Sequence, residues 1–490
     1  MAVHISPAVL AAKPITFGTD GWRGLIAADF TVERVMMVAP LAAKVLADTY
    51  GDAAGKMAEP TVVVGYDRRF MSEEFAQVAA ESIQAIGLNV LMSDGYAPTP
   101  AFSWAAKQAN ALGAVVITAS HNPGVYSGLK VKGAFGGSVP PDITKKIEAM
   151  LGQPIAPAET PGRLQRFDPW DSYCSGLRSM VDIQGIQEAI ASGKLAVFAD
   201  VMHGAAATGL ARLLGDGIHE LNGDRDPLFG GGAPEPLPKY IPELYKVIKA
   251  QRQANPHQLI TGLIFDGDSD RVAAMDGQAN FLSSQVLIPI LMEHLAMRGF
   301  EGEVVKTISG SNLIPKVADR LGLSVHETPI GYKYIADRML SAKVLLGGEE
   351  SGGIGYGHHI PERDALLSAL YVLEAVVQSG TDLGDRYRQL QEAAHFSSTY
   401  DRIDLPLANM EVRSRLLDEL QNNTPTEIAG QAVTHCLSID GYKFDLADES
   451  WILIRFSGTE PVLRLYSEAG SMDRVKANLN WAKDWANAIG

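Results

Sequence analysis

Short apolar runs that break off into glycine-rich polar loops recur along this chain, separated by helix-length segments, and that alternation restricts the fold more than any other feature. The runs are TVVVGYDRR from Thr61, ALGAVVITASHNPG from Ala111, LAVFADVMHG from Leu195, LITGLIFDGDSDR from Leu259 and AKVLLGGEESGG from Ala342. They read as buried strands. Segments between them, such as SEEFAQVAAESIQAIG (72–87) and SNLIPKVADRLG (311–322), carry apolar residues at helical spacing. Strand, loop and helix in alternation predict α/β domains with largely parallel sheets, whose binding loops lie at the carboxyl ends of strands. The polar loops are therefore candidates for one shared site.

A chain of 490 residues exceeds what one hydrophobic core supports, about 250–300 residues, so three or four domains are expected. The Pro- and Gly-rich stretch 152–162 reads as a domain junction, and a second such stretch interrupts the pattern at 229–242. From about His435 the hydrophobic residues alternate around turns, and a last helix begins near Met472, which defines an α+β module. Hydrophobic residues make up 46% and charged residues 20% of the chain, values of an ordinary globular protein rather than a disordered one. A net charge of −15 without a basic tract argues against nucleic-acid or membrane partners, so any phosphate site must be locally basic. With only Cys174 and Cys436, neither a disulfide framework nor a multi-cysteine zinc site is indicated, and a cytoplasmic location is expected. The N-terminus lacks signal-peptide features, and no window is apolar enough to span a bilayer.

Four loops carry distinctive chemistry. DGDSDR (266–271) sets Asp266, Asp268 and Asp270 at alternate positions after an apolar strand, and three convergent carboxylates suit a hard cation. An EF-hand would need Gly at the sixth position and Glu at the twelfth, where this chain has Arg271 and Gly277. TASHNPG (118–124) offers Ser120 as a nucleophile, but neither a GxSxG elbow nor a Ser-His-Asp order surrounds it, which disfavours ordinary ester hydrolysis. A phosphoserine facing three aspartates needs a divalent cation between them, so the two loops make sense together as a metal-bridged phosphoryl donor. RFSGTEP (455–461) supplies the Arg455 guanidinium, the hydroxyls of Ser457 and Thr459 and backbone amides including that of Gly458, the usual chemistry of a phosphate cradle. GGEESGG (347–353) offers two carboxylates and a hydroxyl on a flexible loop, which suits hydrogen bonding to vicinal sugar hydroxyls. Taken singly, each loop is also compatible with a plain polar turn. Arg23 in FGTDGWRG (17–24) and Lys333 in GYKYI (331–335) gain meaning only if their loops converge on the others; His358 and His359 default to structural roles.

Together and in this order, FGTDGWRG, TASHNPG, DGDSDR, GGEESGG and RFSGTEP resemble the α-D-phosphohexomutase superfamily of phosphoglucomutases and phosphomannomutases over nearly the whole chain. The resemblance implies a four-domain, heart-shaped protein: three similar α/β domains at 1–165, 166–279 and 280–392, and a different α+β domain at 393–490. It implies that Ser120 is the phosphoserine and that Asp266, Asp268 and Asp270 bind Mg2+ together with a phosphoserine oxygen. Arg271 would hold the transferring phosphoryl group, with Arg23, His121 and Lys130 around it. Glu349 and Ser351 would grip sugar hydroxyls, Lys333 matches the sugar-loop lysine of the glucose-preferring branch, and Arg455, Ser457, Gly458 and Thr459 would bind the non-reacting phosphate. Some glucose/mannose members carry histidine two positions after the loop serine; this chain has Gly353 there, which leaves Lys130 and His121 as general acid/base candidates.

The implied reaction interconverts hexose 1-phosphate and hexose 6-phosphate, glucose favoured and mannose accepted, through a hexose 1,6-bisphosphate that also serves as activator. The same motifs would serve a hexose 1,6-bisphosphate synthase recharged by a donor such as fructose 1,6-bisphosphate. A non-catalytic sugar-phosphate sensor and a metal-dependent phosphatase are more distant alternatives. The expected partners are small sugar phosphates, with the chain a monomer or dimer.

Overall fold

The apolar runs form the strands expected of them, and the length of the loop after each decides how the next strand pairs. The computed structural model describes residues 13–18, 20–51, 59–457 and 461–489. The first sheet contains β1 (Phe17–Gly18), β2 (Gly21–Leu25), β3 (Thr61–Tyr66), β4 (Asn89–Ser93), β5 (Gly113–Ile117), β6 (Tyr126–Gly133) and β7 (Leu164–Phe167), in the order β1-β2-β6-β5-β3-β4-β7. The second contains β8 (Leu195–Asp200), β9 (Ile218–Leu221), β10 (Leu259–Phe265), β11 (Val272–Met275) and β12 (Phe281–Leu282), in the order β12-β11-β10-β8-β9. The third contains β13 (Glu303–Thr307), β14 (Val325–Thr328), β15 (Val344–Gly348) and β16 (Ile354–Tyr356), in the order β14-β13-β15-β16.

The expectation of largely parallel sheets needs correction. Central strands are parallel, as in β3 with β4 and β5, β8 with β9 and β10, and β13 with β14 and β15. In each sheet, however, the strand that follows the polar loop returns antiparallel: β6 on β5, β11 on β10 and β16 on β15. A parallel partner requires a crossover of about a dozen residues or more, and these loops are too short for one. TASHNPG, DGDSDR and GGEESGG thus occupy one topological position in three successive α/β units.

The fourth sheet is wholly antiparallel and faces two long helices, Met410–Asn422 and Met472–Ile489. Its strands, β17 (Thr399–Pro406), β18 (Glu427–Ile428), β19 (Gln431–Leu437), β20 (Tyr442–Leu446), β21 (Trp451–Phe456) and β22 (Val462–Ala469), run in the order β17-β22-β21-β20-β19-β18. The final helix begins at Met472 as the sequence suggested.

Two expected boundaries fall at short edge strands. After the stretch 152–162 the chain adds β7 to the first sheet, parallel to β4, and a cut at 165 falls inside that strand. A cut at 279 precedes β12, which pairs with β11. Both are short edge strands, and neither carries the buried apolar run that marks a central strand.

One continuous apolar core runs through the three α/β domains. At its centre lies the helix Ala365–Ser379, buried at every residue from Ala365 to Val376 and capped by Asp364, whose carboxylate accepts from Leu367 N. The fourth domain has its own core around Leu416, Ile452 and Leu465 and meets the third through a smaller cluster of Ile308, Trp451, Leu453 and Tyr466. Polar groups complete that junction. Glu468 accepts from Asn312 N at 2.7 Å, from Trp451 Nε1 at 2.7 Å and from the hydroxyls of Ser311 and Ser398.

Beside it, Lys306 is 3% exposed and donates to Glu327 at 2.6 Å, while Lys443 shares the same carboxylate oxygen at 3.5 Å. Burial and the Lys443 charge lower Lys306 from 10.5 to about 8. The unfolded chain therefore holds this proton more tightly than the folded one, and the penalty of burying the ammonium is relieved as pH rises from about 8 to 10.5. Melting curves of wild type and Lys306→Met should show the wild type gaining on the variant across that window; a pH-independent difference would contradict the assignment.

Candidate active site

Ser120 stands at a backbone position that few side chains tolerate. Its φ of +52° lies in the left-handed region, which costs about 1–3 kcal/mol and persists only where surroundings enforce it. Two contacts do so: Ser120 N donates to Thr118 Oγ1 at 2.9 Å, and Arg69 Nη2 donates to Ser120 O at 2.5 Å. The hydroxyl, on a residue 1% exposed, donates to Asp266 Oδ2 at 2.8 Å and lies 3.4 Å from His121 Nδ1. Gly267 makes the approach feasible, since a Cβ there would sit 2.4 Å from Ser120 O.

The DGDSDR loop folds back on itself. Asp266 Oδ1 accepts from Asp270 N at 3.0 Å and Arg271 N at 3.1 Å, and Ser269 takes φ +59° at the turn. Asp266, Asp268 and Asp270 are buried, and one oxygen of each falls within 4.8 Å of the others. Asp268 Oδ2 accepts from Thr99 Oγ1 at 2.5 Å and from Lys130 Nζ at 2.8 Å. Asp270 Oδ2 accepts from Lys130 Nζ at 2.8 Å and Arg363 Nη2 at 2.7 Å. The remaining oxygens, Asp268 Oδ1 and Asp270 Oδ1, are buried without a hydrogen-bond partner. Buried acceptors left without partners are costly, and hard oxygen donors converging in this way fit a divalent cation.

Charge accounting supports the same fit. Burial would raise Asp268, but Lys130, with hydrogen bonds from Lys130 and Thr99, holds it below the usual carboxylate range. Asp266 has no such cation in contact; burial, then the charges of Asp270 and Asp268, push it well above that range. A divalent ion would discharge the unbalanced carboxylate.

Lys130 on β6 bridges Asp20 at 2.7 Å, Asp268 and Asp270, and although burial opposes its charge these carboxylates raise it above the ordinary lysine value. It is held as a cation. His121 is driven the other way, to about 2, by burial and by the positive charges of Arg271 and Arg23, so the imidazole is neutral. Arg23 Nη1 donates to Asn122 Oδ1 at 2.5 Å, and Arg271 lies with Nε 3.9 Å from Asp270 Oδ1. Glu349 reaches the cluster from the third domain: burial raises it, and Arg363 Nη1 lies 3.7 Å away. Its loop is tied to the strand that follows DGDSDR by Val272 N donating to Gly352 O at 3.0 Å. Ser351 is half-buried in the same turn.

Other expected residues have partners of their own. Lys333 opens the helix Tyr332–Ser341 with its ammonium 4.8 Å from the Tyr334 ring centre. Arg455 on β21 pairs with Asp440 at 3.0 Å, and Asp440 also accepts from Ile330 N of the third domain. Ser457 O accepts from Arg413 Nε at 2.8 Å. Gly458 and Thr459 lie outside the described residues. His359 and His358 are structural: His359 bonds Asp364 at 2.9 Å and stacks on Trp104, and His358 bonds Tyr371 at 2.7 Å and stacks on Phe300.

Sequence reasoning missed Asp20, Thr99 and Arg363. Asp20 binds Lys130, Lys132 and Arg363 and is pulled well below its ordinary value by all three against the effect of burial. Arg363 joins Asp20 and Asp270, each at 2.7 Å. Its stem fills the space over Gly353, where an added Cβ would fall 2.2 Å from Arg363 Cδ. The available signal was the charged run 362–364 directly ahead of a largely apolar helix, a place where charges must be buried and therefore paired.

Comparison with known proteins places this geometry. Four family models match in chain order, covering phosphoglucomutase/phosphomannomutase α/β/α domains I (14–154), II (171–279) and III (283–393) and the C-terminal domain (411–479). The chain belongs to the phosphoglucomutase/phosphomannomutase family, enzymes of the phosphotransferring mutase type. It is 30% identical over 480 residues to a phosphoglucosamine mutase of Frankia casuarinae, covering 94% of this chain and 95% of that one. It is 27% identical over 481 residues to a phosphoglucomutase/phosphomannomutase of Thermococcus kodakarensis, covering 94% and 96%. Among solved structures, one designated a putative phosphomannomutase from Thermus thermophilus is 30% identical with a TM-score of 0.82, covering 97% of this chain and 100% of that one.

The aspartate triplet predicts a metal-dependent stability. Adding Mg2+ to chelator-treated protein should raise the melting temperature, by an amount corresponding to about 2.7 kcal/mol at a hundredfold excess over Kd. In the double variant Asp268→Asn, Asp270→Asn that increment should vanish; an equal increment in the variant would place the ion elsewhere.

Proposed function

We propose that this chain is a hexose-phosphate mutase in which phosphorylated Ser120 exchanges its phosphoryl group with the 1- and 6-hydroxyls of a bound hexose, glucose favoured and mannose accepted. The observation that carries this is the 2.8 Å contact of Ser120 Oγ with the aspartate triplet. A phosphoserine so placed beside three acids would be repelled without a divalent cation between them, so the contact points to a metal-bridged phosphoryl donor.

A magnesium ion held by Asp266, Asp268, Asp270 and the phosphoserine would supply positive charge to the transferring group. Arg271 and Arg23 flank the same group and offset its equatorial charge. The hexose monophosphate receives the phosphoryl group on its free hydroxyl and becomes a bound 1,6-bisphosphate, then reorients and returns the other phosphate to Ser120. A phosphoryl group on Ser120 would raise His121 from its low value by its negative charge, and the ring nitrogen 3.4 Å from Ser120 Oγ is then placed to take the attacking hydroxyl's proton. Lys130, engaged by three carboxylates, orients the triplet instead. Glu349 and Ser351 accept and donate to the sugar hydroxyls, Lys333 serves as the sugar-loop lysine, and Arg455 and Ser457, with Gly458 and Thr459, hold the non-reacting phosphate.

A second sugar is favoured by one finding: the Frankia relative is named for glucosamine phosphate. Glucose, mannose and glucosamine 1- and 6-phosphates, assayed with and without the matching 1,6-bisphosphate, should show interconversion fastest with glucose. Faster turnover of glucosamine phosphates would assign that sugar, and net accumulation of free bisphosphate would mark a synthase. Ser120→Ala should lose more than about a thousandfold in turnover with an unchanged melting temperature; retained turnover would remove Ser120 from the mechanism.

A further inference from the structure

Beneath the nucleophile loop, three arginines hold backbone carbonyls at the junction of the first two domains, two of them across it. Arg69, fully buried, donates to the carbonyls of Ser120, Asn122, Pro123 and Tyr126 at 2.5, 2.6, 3.0 and 3.0 Å. Asp67 Oδ2 lies 3.2 Å from Arg69 Nε, and its other oxygen accepts from Arg69 N at 3.0 Å and from Ser72 Oγ at 2.7 Å. The outer face of the Arg69 guanidinium rests 4.8 Å from the ring centre of Phe229, a residue of the second domain.

The neighbouring Arg68 points the opposite way. Its Nη1 donates to the second-domain carbonyls of Gly223 at 2.7 Å and Gly204 at 3.5 Å, and its guanidinium lies over Tyr96. The second domain answers in kind: Arg225 donates to the carbonyls of Arg68 at 3.3 Å and Arg69 at 3.1 Å. Surfaces between these bonds are in close contact, since a Cβ on Gly124 would meet Pro227 O at 2.4 Å. Gly204, in turn, lies against Gly267 of the metal loop, and Ala205 N donates to Gly267 O at 2.9 Å.

A chain of short contacts therefore runs from the carbonyl of Ser120 through Arg69, Arg68 and Gly204 to the loop that carries the aspartates. Carbonyl acceptors do not titrate, and a guanidinium presents its donors in a rigid planar fork, so each link sets a distance as well as an attraction. We propose that Arg68, Arg69 and Arg225 form a reciprocal latch of positioning residues that fixes Ser120 against the aspartate triplet and thereby sets phosphoryl transfer and metal affinity, not sugar affinity. This rests on Ser120 being the phosphoryl carrier. The latch touches no substrate atom and acts only through the register of two loops.

Arg225 is the member to test, because it is exposed and its loss leaves no buried charge behind. In Arg225→Ala, kcat should fall about tenfold, since misplacement of a reacting group by a fraction of an ångström is enough for that, while the hexose-phosphate KM and the melting temperature stay unchanged. Mg2+ affinity of the dephosphorylated protein, read by calorimetry, should weaken severalfold. Amide exchange in the peptide 118–126 should accelerate without change in β3 or β5, and Arg225→Lys should recover part of each effect. Unchanged exchange in 118–126 together with unchanged Mg2+ affinity would overturn the latch whatever the activity of the wild type. A wild type without mutase activity, whose loop nevertheless loosens and whose Mg2+ affinity drops in Arg225→Ala, would uphold the latch and overturn the proposed function instead.

Discussion

Three carboxylates buried at one point repel one another and lose their hydration, and the rest of the molecule is arranged around neutralising them. Lys130, from the first domain, and Arg363, from the third, each reach the triplet at 2.7–2.8 Å, and Asp20 binds both cations in turn. Burial of an unpaired ion costs several kcal/mol even after relaxation, so these pairs are obligatory in a way that surface pairs are not. Because the partners come from three different domains, the balance of charge also fixes how those domains sit on one another. The balance stops short at Asp266, next to the Ser120 hydroxyl, where a divalent ion and a phosphate would complete it together.

The architecture places that shortfall where chemistry can use it. Each α/β unit contributes the hairpin loop between a central parallel strand and its antiparallel return: Ser120 from the first, the three aspartates from the second, Glu349 from the third. Loops at equivalent positions in consecutive units can differ in chemistry while their strands keep the same packing, which suits a site assembled from remote parts of the chain. The three units share one apolar core and make a continuous frame, whereas the fourth domain carries its own core and joins through the small Ile308–Trp451 cluster together with Glu468, the lysine pair on Glu327 and the Arg402 to Glu350 contact. Arg455 and Ser457, expected to hold the distal phosphate, stand on this separately cored body.

What could be read from sequence follows a physical division. Buried strands announce themselves through apolar runs, and loops such as DGDSDR or TASHNPG do so through residue types that a mere turn would not require, so the nucleophile and the acids were visible at once. Partners that neutralise those acids were not, because an isolated Asp20 or Arg363 looks like any surface charge until the fold shows what it faces. Arg69 was hidden for a similar reason: its ligands are carbonyls, which every residue possesses. The antiparallel returns were missed because strand direction depends on loop length as much as on strand composition, and β7 and β12 were missed because an edge strand needs little apolar character.

The most direct test of the central claim is the magnetic coupling between the metal and the phosphoserine. With Mn2+ replacing Mg2+ in the phosphorylated protein and no sugar present, electron–nuclear double resonance should detect a strong 31P coupling from a phosphate bound to the ion, absent in Ser120→Ala. Manganese bound by the aspartates with no 31P coupling in the phosphorylated wild type would mean that the ion does not join Ser120 to the triplet, and the account would fail at its centre.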